Sequence, residues 1–367
     1  MSLSRLAPDY IRAIAPYQGG KPISELAREM GLNEADIIKL ASNENPLGIS
    51  PKAQMAIDEA VHTIARYPDG NSFDLRKTVS DKFGVARGQI VFGNGSNDIL
   101  ELVARAFLQT DCEAIYSQHA FAVYPLVTQA AGATGIVVPA KNYAHDLDEF
   151  LKAITPKTKL IFIANPNNPT GTLIKKDALC AFIHAVPAHV LIVLDEAYDE
   201  YLNAENKSEA IGWLSEFDNL IISRTFSKAY GLAGLRIGFG LMHTDVADML
   251  NRVRQPFNVN SIAQAAAVAS LADDDFVARS YALNQAGMAQ LTQGFNKLGL
   301  KYIPSQANFV SFAVKNAAVV NQKLLQGGVI VRPIANYDMP DYLRVSVGLL
   351  SENARFLEIL EKILNQY

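Results

Sequence analysis

The sequence has little of several features that would assign it to common classes of protein. It contains only two cysteines, and its charge is almost balanced, with 33 basic and 37 acidic residues and a formal net charge of -4. Cys112 and Cys180 lie in apolar segments without a C-x-x-C pattern, so we expect reduced thiols and no disulfide. The six histidines include no H-E-x-x-H motif, so a metal site has no support. The slight negative charge offers nucleic acid no general attraction.

Membrane insertion and secretion also lack support in the sequence. The amino terminus, MSLSRLAPDYIRAIAPYQGG, includes no apolar segment followed by a small-residue cleavage site. No later run reaches the roughly eighteen apolar residues that a membrane span needs. We therefore expect a soluble, cytoplasmic protein.

Short runs rich in β-branched residues recur between residues 89 and 242: QIVFG, EAIYS, TGIVVP, TKLIFIA, HVLIVLD, NLIIS and RIGFGLM. Most are continuously apolar and helical stretches separate them, which is typical of a mostly parallel sheet with helices on both faces. The later chain mixes few strand-like runs with helices. The sequence predicts an α/β fold: an N-terminal arm and helix (1–40) packing on the small domain, a large domain with a seven-stranded, mostly parallel sheet (41–255), and a small α+β domain (256–367).

The loops that follow the apolar runs are where ligand-binding residues are expected, because open α/β sheets bind ligands beyond the carboxyl ends of their strands. The loop VFGNGSNDILELVARAF leads through glycines into a helix that opens at Ser96, Asn97 and Asp98. Exposed amides and the helix dipole at such a terminus favour an anion such as phosphate. The pattern lacks the third glycine of a dinucleotide site, and a helix cap without a ligand is the simpler alternative.

Two further loops carry amides and an acid. IFIANPNNPTGT places Asn165, Asn167 and Asn168 among prolines, which suits a planar polar ligand but is also typical of an Asn-Pro turn. VLIVLDEAYDEY ends an apolar run at Asp195, with Tyr198 three residues later. An acid at this position is either an ordinary cap of the next segment or the partner of a buried cation.

The fourth loop, RTFSKAYGLAGLR, places Lys228 among Thr225, Ser227 and Arg236 directly after the run NLIIS. Lys228 is not part of a Walker motif, because the G-x-x-x-x-G lead is absent. The T-x-x-K spacing is not a penicillin-binding motif, because the other elements of that pattern are absent. A solvated surface lysine is the simpler alternative. Together the four loops supply a phosphate site, an amide, a carboxylate with a phenol, and a lysine beside an arginine. Pyridoxal phosphate requires all of these groups at once.

In the order and spacing of its motifs, the chain resembles the fold-type I aminotransferases of the aspartate aminotransferase superfamily. Within that superfamily it is most similar to the histidinol-phosphate aminotransferases. The resemblance extends from about Tyr17 to Gly348 and is carried by ten motifs: APYQGGK, LASNENPLG, RYPDGNSFDLR, FGNGSNDI, NPNNPTGT, DEAY, RTFSKAYGLAGLRIG, RQPFNVN, ANFV and LRVSVG.

This resemblance implies pyridoxal 5'-phosphate as cofactor and assigns roles around it. Lys228 matches the lysine that forms an imine with the cofactor's aldehyde and later moves a proton, and Asp195 matches the acid that keeps the pyridine nitrogen protonated. Asn168 and Tyr198 match the hydrogen-bond partners of the phenolic oxygen, and Phe121 matches the aromatic residue stacked on the ring. The implied phosphate-binding residues are Ser96, Asn97, Thr225, Ser227 and Arg236.

Tyr67 matches a tyrosine that reaches the cofactor phosphate of the neighbouring subunit, so the resemblance implies a homodimer. Arg344 matches the arginine that binds the substrate's α-carboxylate. Arg332 matches a residue that helps bind substrate phosphate, although a surface ion pair is the simpler alternative. Tyr17 and Asn45 match residues that line the same pocket.

The implied reaction is reversible amino transfer between L-histidinol phosphate and 2-oxoglutarate, giving imidazole-acetol phosphate and glutamate in histidine biosynthesis. Arginines suit this substrate pair, because carboxylate and phosphate both offer paired oxygens. Two alternatives stay open: an aromatic amino-acid aminotransferase and, with a change of reaction class, a threonine-phosphate decarboxylase.

Overall fold

The secondary structure follows the predicted alternation of strands and helices. A computed structural model describes residues 3–17 and 19–366; Met1, Ser2, Gln18 and Tyr367 lie outside the described residues. The strands are β1 Ile38–Lys39, β2 Ile90–Gly93, β3 Glu113–Ser117, β4 Thr134–Val138, β5 Thr158–Ala164, β6 Leu191–Asp195, β7 Leu220–Thr225, β8 Gly238–Met242, β9 Phe309–Ala313, β10 Val329–Ile330, β11 Arg332–Pro333 and β12 Tyr342–Ser346. The α-helices are α1 Asp9–Arg12, α2 Ile23–Met30, α3 Pro51–Ala60, α4 Phe73–Phe83, α5 Ser96–Phe107, α6 Val123–Ala130, α7 Leu147–Lys152, α8 Lys176–Ala185, α9 Thr244–Val253, α10 Ser261–Leu271, α11 Asp274–Lys297, α12 Ala317–Gln326 and α13 Leu350–Leu364.

The predicted strands between residues 89 and 242 form one sheet in the order β2-β8-β7-β6-β5-β3-β4. Strand β8 runs antiparallel to both of its neighbours, and the pairs from β7 to β4 are parallel. Along β5, Ile161 and Ile163 join one core cluster while Leu160 and Phe162 join another. Because both faces are covered, these strands are continuously apolar. The predicted α/β fold class is confirmed.

A second sheet lies in the later part of the chain, with the antiparallel order β11-β12-β9. The run VIVRP, which reads as one strand, is divided: β10 pairs in parallel with β1, while β11 pairs with β12. Helix α2 packs beside this β1-β10 pair through Leu26, which shares a core cluster with Ile330 of β10. The amino-terminal segment is thus joined to the carboxyl-terminal part of the chain.

Three observations concern the cysteines, the potential metal ligands and the length of the apolar helices. Both cysteines are free thiols, Cys112 buried and Cys180 partly exposed. Within 3–17 and 19–366 no cluster of side chains could hold a metal ion. No helix in the described part of the chain is long and apolar enough to cross a membrane.

Candidate active site

A cavity of about 330 Å³ lies beyond the carboxyl ends of the large sheet's parallel strands and is closed on one side by β11 and β12. Its volume is that of a small-molecule site. Most of the side chains predicted from the sequence line it together: Tyr17, Ser96, Asn97, Phe121, Asn168, Asp195, Tyr198, Thr225, Ser227, Lys228, Arg236, Arg332 and Arg344. The fold therefore brings together residues that span almost the whole chain.

One end of the cavity is built to receive an anion. Helix α5 begins there at Ser96, so its first backbone N–H groups are available to a ligand. Gly95 precedes the helix with φ +83°, and a Cβ at this position would lie 2.5 Å from Nη2 of Arg236. Gly238 is equally constrained, since its Cβ would lie 2.5 Å from the backbone nitrogen of Ser96. Because these positions are glycines, the start of α5 and the guanidinium of Arg236 can lie close to each other.

Arg236 completes this anion site in an unusual backbone conformation. Its φ of 58° is in the left-handed region, which a non-glycine residue rarely adopts. Its Nη1 donates to the carbonyl of Ala233 at 2.8 Å and to Oγ of Ser227 at 3.4 Å, and its Nη2 donates to the carbonyl of Asn94 at 3.3 Å. These bonds hold the guanidinium beside the start of α5.

Lys228 lies at the centre of the cavity lining. Its Nζ donates a hydrogen bond to the carbonyl oxygen of Ser42 at 3.0 Å. Burial, followed by the positive charge of Arg344, lowers the pKa of Lys228 to about 8. At pH 7 about a tenth of this amine is therefore neutral and nucleophilic, a much larger fraction than for an exposed lysine.

Asp195 ends β6 at the floor of the cavity and is held by a residue that the sequence analysis did not identify. The hydroxyl of Tyr124, on α6, donates to Oδ2 of Asp195 at 2.9 Å. Oδ1 is buried and has no hydrogen-bond partner among the described residues. Burial raises the pKa of Asp195 to about 6, against the lowering effect of the Tyr124 hydrogen bond. A cationic N–H group beside this carboxylate would satisfy the free oxygen and favour its charged form.

Two amides and a phenol form the next part of the wall. Tyr198 accepts a hydrogen bond from Nδ2 of Asn43 at 3.0 Å, and burial raises the pKa of Tyr198 to about 12. Oδ1 of Asn168 accepts from Nη1 of Arg344 at 2.5 Å, so the NH₂ group of Asn168 is its remaining donor. Arg344 also donates from Nη2 to the carbonyl of Ala41 at 2.9 Å, while its buried Nε has no partner among the described residues.

The wall of the cavity formed by β11 and β12 contains an arginine pair. Arg332 on β11 lies directly opposite Arg344 on β12 in an antiparallel pair, which puts both side chains on the same face of the sheet. The guanidinium of Arg332 lies 5.7 Å from the ring centre of Tyr17. With Lys228 and Arg236, these arginines outnumber the acids of the lining, Asp195 and Glu44, and Glu44 is already paired with Lys39. The charge balance favours an anionic ligand.

Two residues implied by the resemblance do not line this cavity. Nδ2 of Asn45 donates to the carbonyl of Ala229 and to Oγ of Ser280, both at 2.8 Å, and its Oδ1 accepts from the backbone of Leu47. Asn45 therefore supports the segment after Lys228, and we leave it out of the substrate pocket. Tyr67 is 83% exposed and lies outside the cavity of its own chain.

The sequence analysis missed five polar residues of the lining: Ser42, Asn43, Glu44, Tyr124 and Tyr337. Asn43 lies in the quoted motif LASNENPLG, two residues before the residue that was selected there, and Tyr124 lies in QHAFAVYP, three residues after Phe121. Tyr337 lies in a short 3₁₀ turn outside all of the motifs. The motifs located the segments, but only packing decides which side chain of a segment faces the ligand.

Known proteins resemble this chain in sequence and in fold. The sequence pattern of the family "aminotransferase class I and II" matches residues 35–360. A curated protein of Methylobacillus flagellatus named histidinol-phosphate aminotransferase is 71% identical, with 98% of this chain and 97% of that protein covered. Histidinol-phosphate aminotransferase 2 of Nitrosospira multiformis is 60% identical, with 98% and 92% covered. The crystal structure of histidinol-phosphate aminotransferase from Sinorhizobium meliloti in complex with pyridoxal-5'-phosphate matches with a TM-score of 0.91 at 26% identity, covering 100% of this chain and 99% of that one.

Proposed function

Because the chain belongs to the class I and II aminotransferases, we propose that it transfers an amino group between L-histidinol phosphate and 2-oxoglutarate, forming imidazole-acetol phosphate and glutamate. The observation that carries the proposal is the facing pair Arg332 and Arg344 in the same cavity as Lys228 and Asp195. The names of relatives at 71% and 60% identity support the same substrate. The reaction belongs to histidine biosynthesis, and the same proposal includes a cytoplasmic location.

The cavity fits pyridoxal 5'-phosphate as the cofactor. The start of α5 with Thr225, Ser227 and Arg236 would hold its phosphate, and the free oxygen of Asp195 would receive its ring nitrogen. When bound, the cofactor supplies an aldehyde that condenses with amines and a ring that withdraws electrons from the substrate's Cα. Phe121 would stack on that ring. Asn168 and Tyr198 would hydrogen-bond its phenolic oxygen.

The protein's own groups perform the binding and proton transfer. Lys228, with its pKa lowered to about 8, would provide the amine that holds the cofactor. With substrate bound, Nζ of Lys228 would be placed to accept the proton that leaves the substrate's Cα. Asp195, fixed by Tyr124, would keep a negative charge opposite the ring nitrogen.

The arginine pair explains how one pocket accepts two different substrates. Histidinol phosphate has no α-carboxylate, so its phosphate must occupy the region where glutamate places a carboxylate. Arg344, with an unpartnered Nε, presents a guanidinium edge that suits paired oxygens of either group. Arg332 adds the second positive charge that a phosphate dianion needs. Both substrates are thus bound by the same facing residues.

The proposed enzyme is a homodimer in which Tyr67 reaches the cofactor phosphate of the neighbouring subunit. In the single chain Tyr67 is exposed and stacks on Phe257, with ring centres 4.8 Å apart. Tyr67 and Phe257 thus place two aromatic side chains on the surface, and neither lines the cavity of its own chain. This exposure is what supports a role across a subunit interface.

A single-turnover experiment tests the substrate. The protein loaded with pyridoxal 5'-phosphate is mixed separately with histidinol phosphate, glutamate and phenylalanine, and the visible absorption of the cofactor is followed. We expect rapid conversion to the amine form with the first two and slow conversion with phenylalanine. Conversion with phenylalanine but not with histidinol phosphate would reassign the enzyme to aromatic amino acids. Release of carbon dioxide from threonine phosphate without glutamate formation would reassign it to decarboxylation.

A further inference from the structure

Tyr124 connects two of the proposed cofactor contacts, although none of the sequence motifs assigned it a role. Its hydroxyl donates to Oδ2 of Asp195 at 2.9 Å. Its ring meets the ring of Phe121 edge-on, with centres 5.8 Å apart and an interplanar angle of 87°. Tyr124 therefore contacts both the acid proposed for the ring nitrogen and the aromatic residue proposed to stack on the ring.

The position of Tyr124 is itself fixed by packing. The side chain is completely buried, and its ring stacks on Phe162 of β5 with centres 4.9 Å apart and planes within 6°. Strand β5 is the neighbour of β6, which ends at Asp195. A ring clamped between helix and sheet in this way can hold its hydroxyl in one place.

The hydrogen bond leaves the two oxygens of Asp195 in different situations. Oδ2 is engaged by Tyr124, whereas Oδ1 is buried and has no partner among the described residues. A buried polar atom without a partner is costly and is expected where a ligand supplies the missing group. A hydroxyl that donates to a carboxylate also stabilises the charged form, which opposes the effect of burial.

We propose that Tyr124 is a positioning residue that holds Asp195 by one oxygen and so presents the other to the cofactor's ring nitrogen. The inference rests on the proposed function, because a charged acid at this place is needed only for a ligand with a basic ring nitrogen. Through its contact with Phe121, the same side chain supports the face of the cofactor ring. Tyr124 acts through its neighbours and takes no proton from the substrate.

The variant Tyr124→Phe tests this proposal because it removes only the hydroxyl and keeps the stacked ring. We expect about tenfold weaker binding of pyridoxal 5'-phosphate to the unloaded protein, the usual effect of losing a hydrogen bond to a charged group. With cofactor labelled with ¹⁵N in the ring, the nitrogen resonance should move towards that of the unprotonated ring. Tyr116→Phe is the matched control, since Tyr116 is a buried tyrosine of the same core cluster and its hydroxyl lies against Gly135 of β4.

A double-mutant cycle separates positioning from simple loss of structure. If Tyr124 acts through Asp195, then Tyr124→Phe should cause no further loss of cofactor affinity in an Asp195→Asn background. Thermal unfolding of each unloaded variant verifies that it is folded. An equal loss in both backgrounds would mean that Tyr124 serves the fold alone and would overturn the proposal.

The remaining outcomes distinguish this inference from the proposed function. A wild-type protein that binds no pyridoxal 5'-phosphate would overturn the proposed function. A wild-type protein with a protonated ring nitrogen, together with a Tyr124→Phe variant of unchanged affinity and unchanged ¹⁵N resonance, would overturn only the role of Tyr124.

Discussion

At the scale of single residues, burial changes the chemistry of Lys228 and Asp195, the two residues proposed to act on the cofactor. The same low-polarity surroundings lower the pKa of the lysine to about 8 and raise the pKa of the acid to about 6. Each shift disfavours the charged form, as desolvation requires. The lysine is neutral for a larger fraction of the time than an exposed lysine, and both Tyr124 and a cationic ligand favour the charged form of the acid.

The shifted pKa of Lys228 predicts how its reactivity depends on pH. The neutral amine is the reactive form, so modification of Lys228 in the unloaded protein should rise with pH and reach its midpoint near 8. Exposed lysines provide the internal control, because their midpoints lie at about 10.4. Labelling with an amine-reactive reagent at a series of pH values, followed by peptide mass spectrometry, measures the midpoint of Lys228 and the midpoints of the exposed lysines. Arg344→Leu should move the midpoint of Lys228 upwards, since it removes a neighbouring positive charge; a wild-type midpoint near 10 would contradict the prediction.

At the scale of elements, the turn after β6 is held to β7 by a buried ionic cluster. Arg224 on β7 contacts Glu196 at 2.7 Å, Asp199 at 2.9 Å and Glu200 at 3.4 Å. All of these side chains are almost completely buried, and Ser208 donates a further hydrogen bond to Glu196 at 2.6 Å. The cluster fixes the segment that contains Tyr198 next to the strand that ends at Thr225. Three of the four acids in the segment DEAYDEY, Glu196, Asp199 and Glu200, thus have a structural partner that sequence alone did not identify.

Arg224→Met is predicted to destabilise the protein strongly. The substitution removes the cation that three buried carboxylates share, of which Asp199 keeps a second partner, Lys207 at 3.4 Å. Breaking a buried ion pair typically costs about 3–5 kcal/mol. Urea denaturation of the unloaded protein measures this change in the free energy of unfolding. Arg252→Met is the control, because Arg252 forms an exposed helical pair with Asp248, and such pairs contribute about 0.3–0.5 kcal/mol. Equal effects of the two substitutions would show that the buried cluster does not stabilise the turn.

At the scale of the whole molecule, the cavity depends on parts of the chain that are distant in sequence. Tyr17 and Arg344 line one wall, and strand pairing between β1 and β10 joins the two ends of the chain. Helix α10, which lies just after the predicted boundary at residue 255, packs against α3 and α4 in the core of the large sheet. The division at residues 40 and 255 stays a prediction.

The proposed homodimer predicts complementation between two defective variants. Tyr67→Ala should lose activity through the partner's site, and Lys228→Ala through its own. A mixed dimer contains one site with both residues intact, so random exchange of subunits should restore about a quarter of wild-type activity. The control pairs Lys228→Ala with Arg236→Ala; both of these residues line the cavity of one chain, and no mixed dimer then has an intact site. Failure of the first pair to regain activity, or an active monomer in analytical ultracentrifugation, would contradict the role of Tyr67.

The sequence by itself determined the α/β class and the segments that form the site. Continuous apolar runs such as TKLIFIA are diagnostic because a strand covered on both faces has no polar side, and the loops after those runs must lie at one edge of the sheet. The anion site at Ser96 and Arg236 and the placement of Lys228 and Asp195 in one cavity follow from this rule. These features depend on local pattern and chain direction, which the sequence records directly.

Only the tertiary structure decided which side chains of those segments meet. Asn43 faces the cavity and Asn45 does not, although they lie two residues apart in one irregular loop with no periodic pattern. In the sequence, Tyr124 looks like an ordinary core residue and Arg224 like an ordinary strand residue. Their roles become visible only when α6 packs beside Asp195 and the turn after β6 packs beside Arg224. The strand run VIVRP was divided between two sheets for the same reason. Such contacts join residues far apart in sequence, so they are set by packing and not by local propensity.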